Sequence, residues 1–281
     1  MNTMPTWNVV FPPTKIRNTK KMAIPIYQAD AFTDIRYKGN PAAVCPLETY
    51  PEDSLLQEIA AEMNLSETAF FIPDSSADFI LRWFTPLTEV RLCGHATLAT
   101  AHIIFTELNW QKDVIVFQTL SAGRLTVRKE VESYVMDFPA DQPVAYQASY
   151  IDQLTDQNIL ESYKGTDDLM LILENEDAVK NCVADLKLMA GLEHRSVIVS
   201  SRGGDRDFVS RVFAPACGID EDPVTGSSHT LMTTYWAAQL GKARMSAAQI
   251  SERRGELICE LKADRVLIHG KAVTVMKGEL L

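Results

Sequence analysis

From Met22 onward, short apolar, β-branched and aromatic runs alternate with clusters of turn-forming residues, whereas residues 1–21 show neither a period of 2 nor one of 3.6. The first stretch therefore reads as an N-terminal extension outside the fold. In the first half the runs predict strands at 23–32, 42–47, 67–72, 78–85, 113–119, 122–129 and 132–138. In the second half they predict strands at 168–174, 195–201, 207–214, 256–262, 265–269 and 272–277. Helical stripes fall at 54–63, with Ser54 as a plausible N-cap, and at 95–108, then at 150–162, 176–190 and 227–240. Gly241 suits the left-handed position that ends the last of these helices.

A repeat organises the pattern. Asp78-Phe79-x-x-Arg82-x-Phe84-x-Pro86 returns as Asp207-Phe208-x-x-Arg211-x-Phe213-x-Pro215, and each copy leads through a loop and a glycine (Gly94, Gly226) into an apolar helix. Two long copies imply two homologous domains about a pseudo-two-fold, since a solenoid needs at least three shorter units. Strands outnumber helices and often follow one another through short turns, which points to an α+β fold of antiparallel sheets. The late helix of each half is the expected apolar rod for a curved sheet. Residues 22–139 with a closing strand from 268–281 are expected to form one domain and 140–267 the other, with the boundary near Asp141-Gln142-Pro143. Two helix starts then aim their unpaired amides and positive dipole ends at one cleft, a setting for a small carboxylate.

Composition narrows the partners. The 281 residues are 46% hydrophobic, enough for two cores, and carry a formal charge of −10, unsuited to nucleic acid or an anionic membrane. The five cysteines are widely spaced and include no Cys-x-x-Cys, the pattern of a reducing compartment, and no long apolar run or signal-peptide core is present. A cytoplasmic location is the expectation.

The familiar cofactor motifs are missing, and the five histidines show no metal-ligand spacing, so neither a cofactor nor a metal is expected. Glu67, in Asn64-Leu65-Ser66-Glu67-Thr68-Ala69-Phe70, stands at the mouth of an apolar strand, where desolvation would raise its pKa and fit it for proton transfer. The alternative is a strand-edge carboxylate in water. His95, after Cys93 and Gly94, lies at a helix start that favours its neutral form, or is a satisfied core histidine. Asp220, Glu221 and Asp222 crowd the segment before Thr225-Gly226-Ser227-Ser228-His229. Helix capping and an Asp-Pro turn account for part of this crowding, but Glu221 and Asp222 fall where the second copy is three residues longer.

Gly39-Asn40-Pro41-Ala42-Ala43-Val44, the Glu67 segment, Phe84-Thr85-Pro86 with Cys93-Gly94-His95-Ala96-Thr97-Leu98-Ala99, and Glu221-Asp222-Pro223-Val224-Thr225-Gly226-Ser227 together resemble the PhzF-like (phenazine biosynthesis) isomerase family, in the diaminopimelate epimerase and proline racemase superfamily. The resemblance spans about Met22 to the C-terminus. It implies two similar domains, each a barrel-like sheet around a central helix, a homodimer, and cofactor-free isomerisation by proton transfer at carbon. It also implies Glu67 as acid/base, His95, Asp222 and Ser227 as further catalytic groups, and Gly94 and Gly226 as substrate-binding positions. Racemase relatives use two cysteines; this chain has Cys93 at one position and Thr225 at the other, which opposes a two-thiol mechanism. The expected activity is a proton shift on a small amino- or hydroxy-carboxylate. Its rivals are an epimerase pairing Cys93 with an unlike partner and an idle binding protein on the same fold.

Overall fold

The computed structural model describes residues 23–281, so the proposed extension at 1–21 lies outside the described residues. The first half runs β1 (Ile24–Ala31), β2 (Asn40–Pro46), α1 (Asp53–Met63), β3 (Glu67–Pro73), β4 (Phe79–Phe84), β5 (Glu89–Val90), α2 (Gly94–Thr106), β6 (Val114–Gln118), β7 (Arg124–Lys129) and β8 (Tyr134–Pro139). The second runs β9 (Val144–Ala145), β10 (Ile159–Lys164), β11 (Asp168–Leu173), α3 (Glu176–Asn181), α4 (Leu186–Met189), β12 (Ser196–Arg202), β13 (Phe208–Ala214) and β14 (Ile219–Asp222). It ends with α5 (His229–Leu240), β15 (Arg244–Gln249), β16 (Gly255–Lys262), β17 (Arg265–Gly270) and β18 (Ala272–Leu280).

The two halves share one topology. In the first, β2 lies parallel to β3 and β4 parallel to β6, with antiparallel pairs β1–β2, β3–β4, β6–β7 and β7–β8. In the second, β11 lies parallel to β12 and β13 to β15, within antiparallel β10–β11, β12–β13, β15–β16 and β16–β17. The sheets are thus mixed rather than purely antiparallel, because each parallel pair is joined by a helical crossover, which parallel strands require. β8 pairs antiparallel with β17, joining the halves, and β18 closes onto β1.

The repeated motif explains this sameness. Asp78 accepts from Lys112 Nζ at 2.7 Å and from the Val116 amide at 2.8 Å; Asp207 likewise accepts from Lys242 and from the Ser246 amide at 2.9 Å. Each aspartate pins the strand that returns from the buried helix. Arg82 makes a two-pronged pair with Glu89 at 2.7 and 2.8 Å, and Arg211 does the same with Glu221. Each guanidinium also lies over the phenylalanine two residues on, Phe84 or Phe213. Glu221 is therefore the counterpart of Glu89, and the extra residues of the second copy fall in the short 3-10 turn Pro215–Cys217 and Gly218 instead.

Packing follows the two-residue period of the strands. On β3, Ala69 and Phe71 join the core around α2 while Phe70 joins a second core under α1. On β11, Met170 and Ile172 face the inner core, and Leu169, Leu171 and Leu173 face the layer of α3 and α4. Strands buried on both faces read as unbroken apolar runs, which is why the sequence showed them clearly. Helix α2 is buried from Gly94 to Phe105 and contacts β1, β2, β3, β7, β8 and β18, while α5 contacts β15, β16 and β17. No helix among the described residues is long and apolar enough to cross a membrane.

Some expectations change. The helix expected at 150–162 is a 3-10 turn at Ile151–Gln153 followed by strand β10, because β11 takes β10 as its antiparallel neighbour. The helix expected at 176–190 is split into α3 and α4. Asn175 and Asp185 each cap one piece, and Arg211 Nη1 bonds the carbonyls of Val179, Lys180 and Cys182 in the break. Ser54 lies inside α1, whose N-cap is Glu52, and α5 starts at His229 after a turn through Ser227 and Ser228. Gly241 does end α5 in the left-handed region, at φ 64°.

The two buried helices meet at their N-termini. A Cβ placed on Gly94 would lie 3.1 Å from Gly226 Cα and 3.2 Å from the Ser227 nitrogen, backbone atoms that cannot swing aside. Gly94→Ala is therefore expected to lower stability by about 1–3 kcal/mol, the usual range for overpacking. Gly191→Ala, whose Cβ meets nothing closer than 3.5 Å, serves as control. Urea unfolding measures both; equal midpoints for Gly94→Ala and wild type would refute the close approach.

Candidate active site

The strand pleat and the helix starts assemble the site. Glu67, Ala69 and Phe71 point to one face of β3, so the alternation that sends Ala69 and Phe71 into the α2 core aims Glu67 at the start of that helix. Its strand neighbour across β2 is Ala42, small enough to leave the carboxylate room. Cys93 precedes α2 and His95 is its second residue. His95 Nε2 lies 3.2 Å from Glu67 Oε2 and His95 Nδ1 lies 3.4 Å from Cys93 Sγ. The histidine is thus wedged between a carboxyl and a thiol. Glu67 Oε2 and His95 Nε2 lack an aligned hydrogen-bond partner among the described residues, the state of groups kept for a ligand or for each other.

The second half supplies the facing wall. Asp222 ends β14, is buried, and accepts from Asn40 Nδ2 at 2.7 Å and from the Thr225 hydroxyl. Gln249 Nε2 donates to the Asp222 carbonyl at 2.6 Å and its Oε1 accepts from the Thr225 amide at 2.9 Å, which fixes the turn into α5. Asn40 comes from the first half, so this contact also ties the halves together. The preceding Gly39 takes φ 63°, where a Cβ would sit 2.2 Å from the Ala31 carbonyl oxygen. Gly226 abuts Gly94, and the Ser227 hydroxyl accepts from Arg195 Nη1 at 3.0 Å.

All six residues singled out from sequence line one cleft: Glu67, Gly94, His95, Asp222, Gly226 and Ser227, joined there by Cys93 and Thr225. Arg195 and Cys217 line it too and carried no signal in the sequence reading, because each is a lone polar residue outside any repeat or motif. His229 is not part of the cleft; its Nδ1 bonds the Thr225 carbonyl at 2.8 Å, much as Thr97 bonds the Cys93 carbonyl, and so it serves the helix start. The cleft volume is about 70 Å³. A far larger groove of about 920 Å³ opens elsewhere, beside Arg253 and Lys271, but those charges are already paired with Asp30 and Asp34.

Burial governs the electrostatics. Desolvation, with the negative charge of Asp222 second, raises the Glu67 carboxyl to about 8, against smaller lowering by the Cys93 thiol and Arg195. Desolvation depresses His95 to about 4, so its imidazole is neutral at pH 7. Cys93 is pushed well above the usual thiol range by burial and by Glu67. The structure does bring Glu67, Cys93 and His95 within 4.8 Å of one another, a grouping the sequence spacing did not reveal. A soft metal would need the Cys93 thiolate, which this environment opposes, and the histidine turns different nitrogens to its two neighbours. The cluster suits proton exchange between uncharged or singly charged partners.

A family model described as phenazine biosynthesis-like protein (PhzC-PhzF) matches residues 29–278. A Pseudomonas aeruginosa protein named an uncharacterized isomerase is 45% identical over 263 residues, covering 92% of this chain and 99% of its own. The mouse phenazine biosynthesis-like domain-containing protein 1 is 40% identical over 287 residues at the same coverage. Among solved structures, a PhzF-family protein from Enterococcus faecalis is 40% identical with a TM-score of 0.86, covering 92% of this chain and all of its own. A hydroxyproline epimerase from Agrobacterium vitis, at 9% identity and a TM-score of 0.60, shares the fold alone. With the family match spanning nearly all the described residues and these relatives aligned almost end to end, the chain belongs to the phenazine biosynthesis-like (PhzC-PhzF) family.

Proposed function

We propose that this isomerase moves a proton between carbons of a small amino- or hydroxy-carboxylate, with Glu67 as the acid/base and no cofactor. The observation that carries this reading is a carboxyl only 13% exposed, 3.2 Å from the buried His95 imidazole and beside the close approach of Gly94 and Gly226, a setting that raises its proton affinity. A base near working pH is best matched to a weak carbon acid. Glu67 takes the proton from one carbon as the C–H bond breaks, and the electron pair enters an enolate-like system next to the substrate carboxylate. The amides at the start of α2 and those of Gly226 and Ser227 in the turn before α5 face the charge that develops, whereas the His229 and Thr230 amides are held by the carbonyls of Gly226 and Ser227. Glu67 then returns the same proton to a second carbon, so atoms and charge balance.

Asp222 holds the amine or hydroxyl, and His95, uncharged, donates or accepts a hydrogen bond without competing for the proton. Cys93 is a poor base in this setting because its thiol stays protonated, and Thr225, which takes the corresponding position at the other helix, is engaged with Asp222. A cleft of about 70 Å³ is far below the roughly 300–1,000 Å³ of ordinary ligand pockets, so substrate entry requires the two halves to part.

Incubation of amino and hydroxy acids in D₂O with the protein should place deuterium at carbon. Glu67→Gln keeps the shape but removes the base, and exchange should fall by roughly 10² to 10⁴. Exchange at the wild-type rate in that variant would contradict the assignment.

The pH profile supplies a second check. The reaction needs Glu67 ionised, so kcat/KM should rise with pH through a midpoint near 8 and level off only above it. Asp222 contributes to the raised value, so Asp222→Asn should move the rising limb to lower pH while weakening binding of the amine. An unmoved limb would show that the two carboxyls do not sense each other.

A further inference from the structure

We infer that Arg195 is a positioning residue that fixes the Ser227 hydroxyl as a hydrogen-bond donor into the cleft and so sets the preference of the α5 side for a carboxylate. This role rests on the proposed function, since it concerns how that cleft reads its substrate. Arg195 Nε and Nη2 grip Asp168 at 3.0 and 2.6 Å, Nη2 also reaches Ser228 Oγ at 3.4 Å, and Nη1 donates to Ser227 Oγ at 3.0 Å. Ser196 and Ser228 donate to the same Asp168 carboxylate at 2.9 and 2.7 Å. Asp168 is buried and wholly engaged, so the guanidinium cannot turn away.

Donor counting gives the consequence. A guanidinium has five N–H donors and no acceptor, so Ser227 Oγ must accept from it and its own O–H must point elsewhere. One Nη1 hydrogen also lacks a partner among the described residues. Arg195 is the one lysine or arginine among the residues lining the cleft. On this wall Arg195 and the Ser227 hydroxyl donate beside the acceptor Asp222, and the Glu67 carboxyl is the acceptor across the cleft.

The halves show that this polarity is built by breaking their symmetry. Ser196 pairs with Asp168 across β12 and β11 as Glu67 pairs with Ala42 across β3 and β2. At the Glu67 position the other half has Ser196, and at the Ala42 position it has the buried Asp168 that holds the arginine. The single cation also lowers the proton affinity of Glu67, countering Asp222.

The test uses α-amino acids and their carboxamides, which share an ammonium group but differ in the carboxylate. Isothermal titration of wild type should show tighter binding of at least one acid than of its amide. In Arg195→Met that preference should shrink at least roughly tenfold, the size of a lost charge-assisted hydrogen bond. A merely structural role would weaken acid and amide alike, leaving their ratio unchanged. Because methionine strands buried Asp168, the Arg195→Met/Asp168→Asn pair is measured too. Arg195→Lys keeps the charge without the fork and should recover part of the preference. Deuterium exchange is followed in parallel; if wild type shows the acid preference and Arg195→Met loses it, yet wild type exchanges no deuterium, the proton-transfer reading alone fails. The Arg195 assignment is overturned if the acid-to-amide ratio is unchanged in folded Arg195→Met or its double variant. It is equally overturned if wild type prefers no acid over its amide or, should both methionine variants fail to fold, if Arg195→Lys keeps the full wild-type ratio.

Discussion

The contact between Gly94 and Gly226 constrains everything around it. Two buried helices approach N-terminus to N-terminus until their backbones touch, which only residues without a Cβ permit. Two positive dipole ends then share a water-poor space, where they repel each other unless negative charge lies between them. Asp222 supplies part of that charge from its hydrogen-bonded seat at the end of β14, and the bound carboxylate of the proposed reaction supplies the rest. Glu67 is the remaining acid in the space, and a second full charge beside Asp222 is disfavoured. In the proposed reaction, the packing that joins the halves holds this carboxyl ready to take up and release a proton.

The scaffold is nearly two-fold and the chemistry is not. Asp78 and Asp207 pin matching strands, and Arg82 and Arg211 each fork onto a glutamate and cover Phe84 or Phe213, although Nη1 goes to Asp53 in one half and to backbone carbonyls in the other. Around the cleft the matching positions differ: Cys93 against Thr225, His95 against Ser227, and Glu67 against Ser196. A symmetric pair of bases would suit abstraction from one face and return from the other. One carboxyl facing a serine and an arginine instead suits a proton that leaves and returns through the same group.

Much of this was legible in the sequence because doubly buried strands and the repeat leave strong marks. The strands β2, β3, β4 and β11 to β13 show as apolar runs, and the motif around Asp78 and Asp207 marks the halves. The six site residues lay in motifs, so they could be named. Arg195 could not, since its importance rests on Asp168 and Ser227, partners 27 and 32 residues away. The grouping of Glu67 with Cys93 and His95 was hidden for the same reason. Strand β10 reads as helix in the sequence because Ile159–Lys164 has partly exposed faces and finds its partners β11 and β9 only in the fold. The break between α3 and α4 depends on Arg211, whose sequence context advertised neither its ion pair with Glu221 nor its hydrogen bonds to the carbonyls at the end of α3.

The central claim is that burial beside Asp222 holds Glu67 protonated well above the ordinary carboxyl range. Carbon-13 NMR of protein labelled at glutamate side-chain carboxyls, with Glu67 assigned by its loss in Glu67→Gln, reads that titration directly. A midpoint near 8 in the ligand-free protein is the result the account predicts. A Glu67 resonance that titrates near 4.5, with the fold intact, would contradict it.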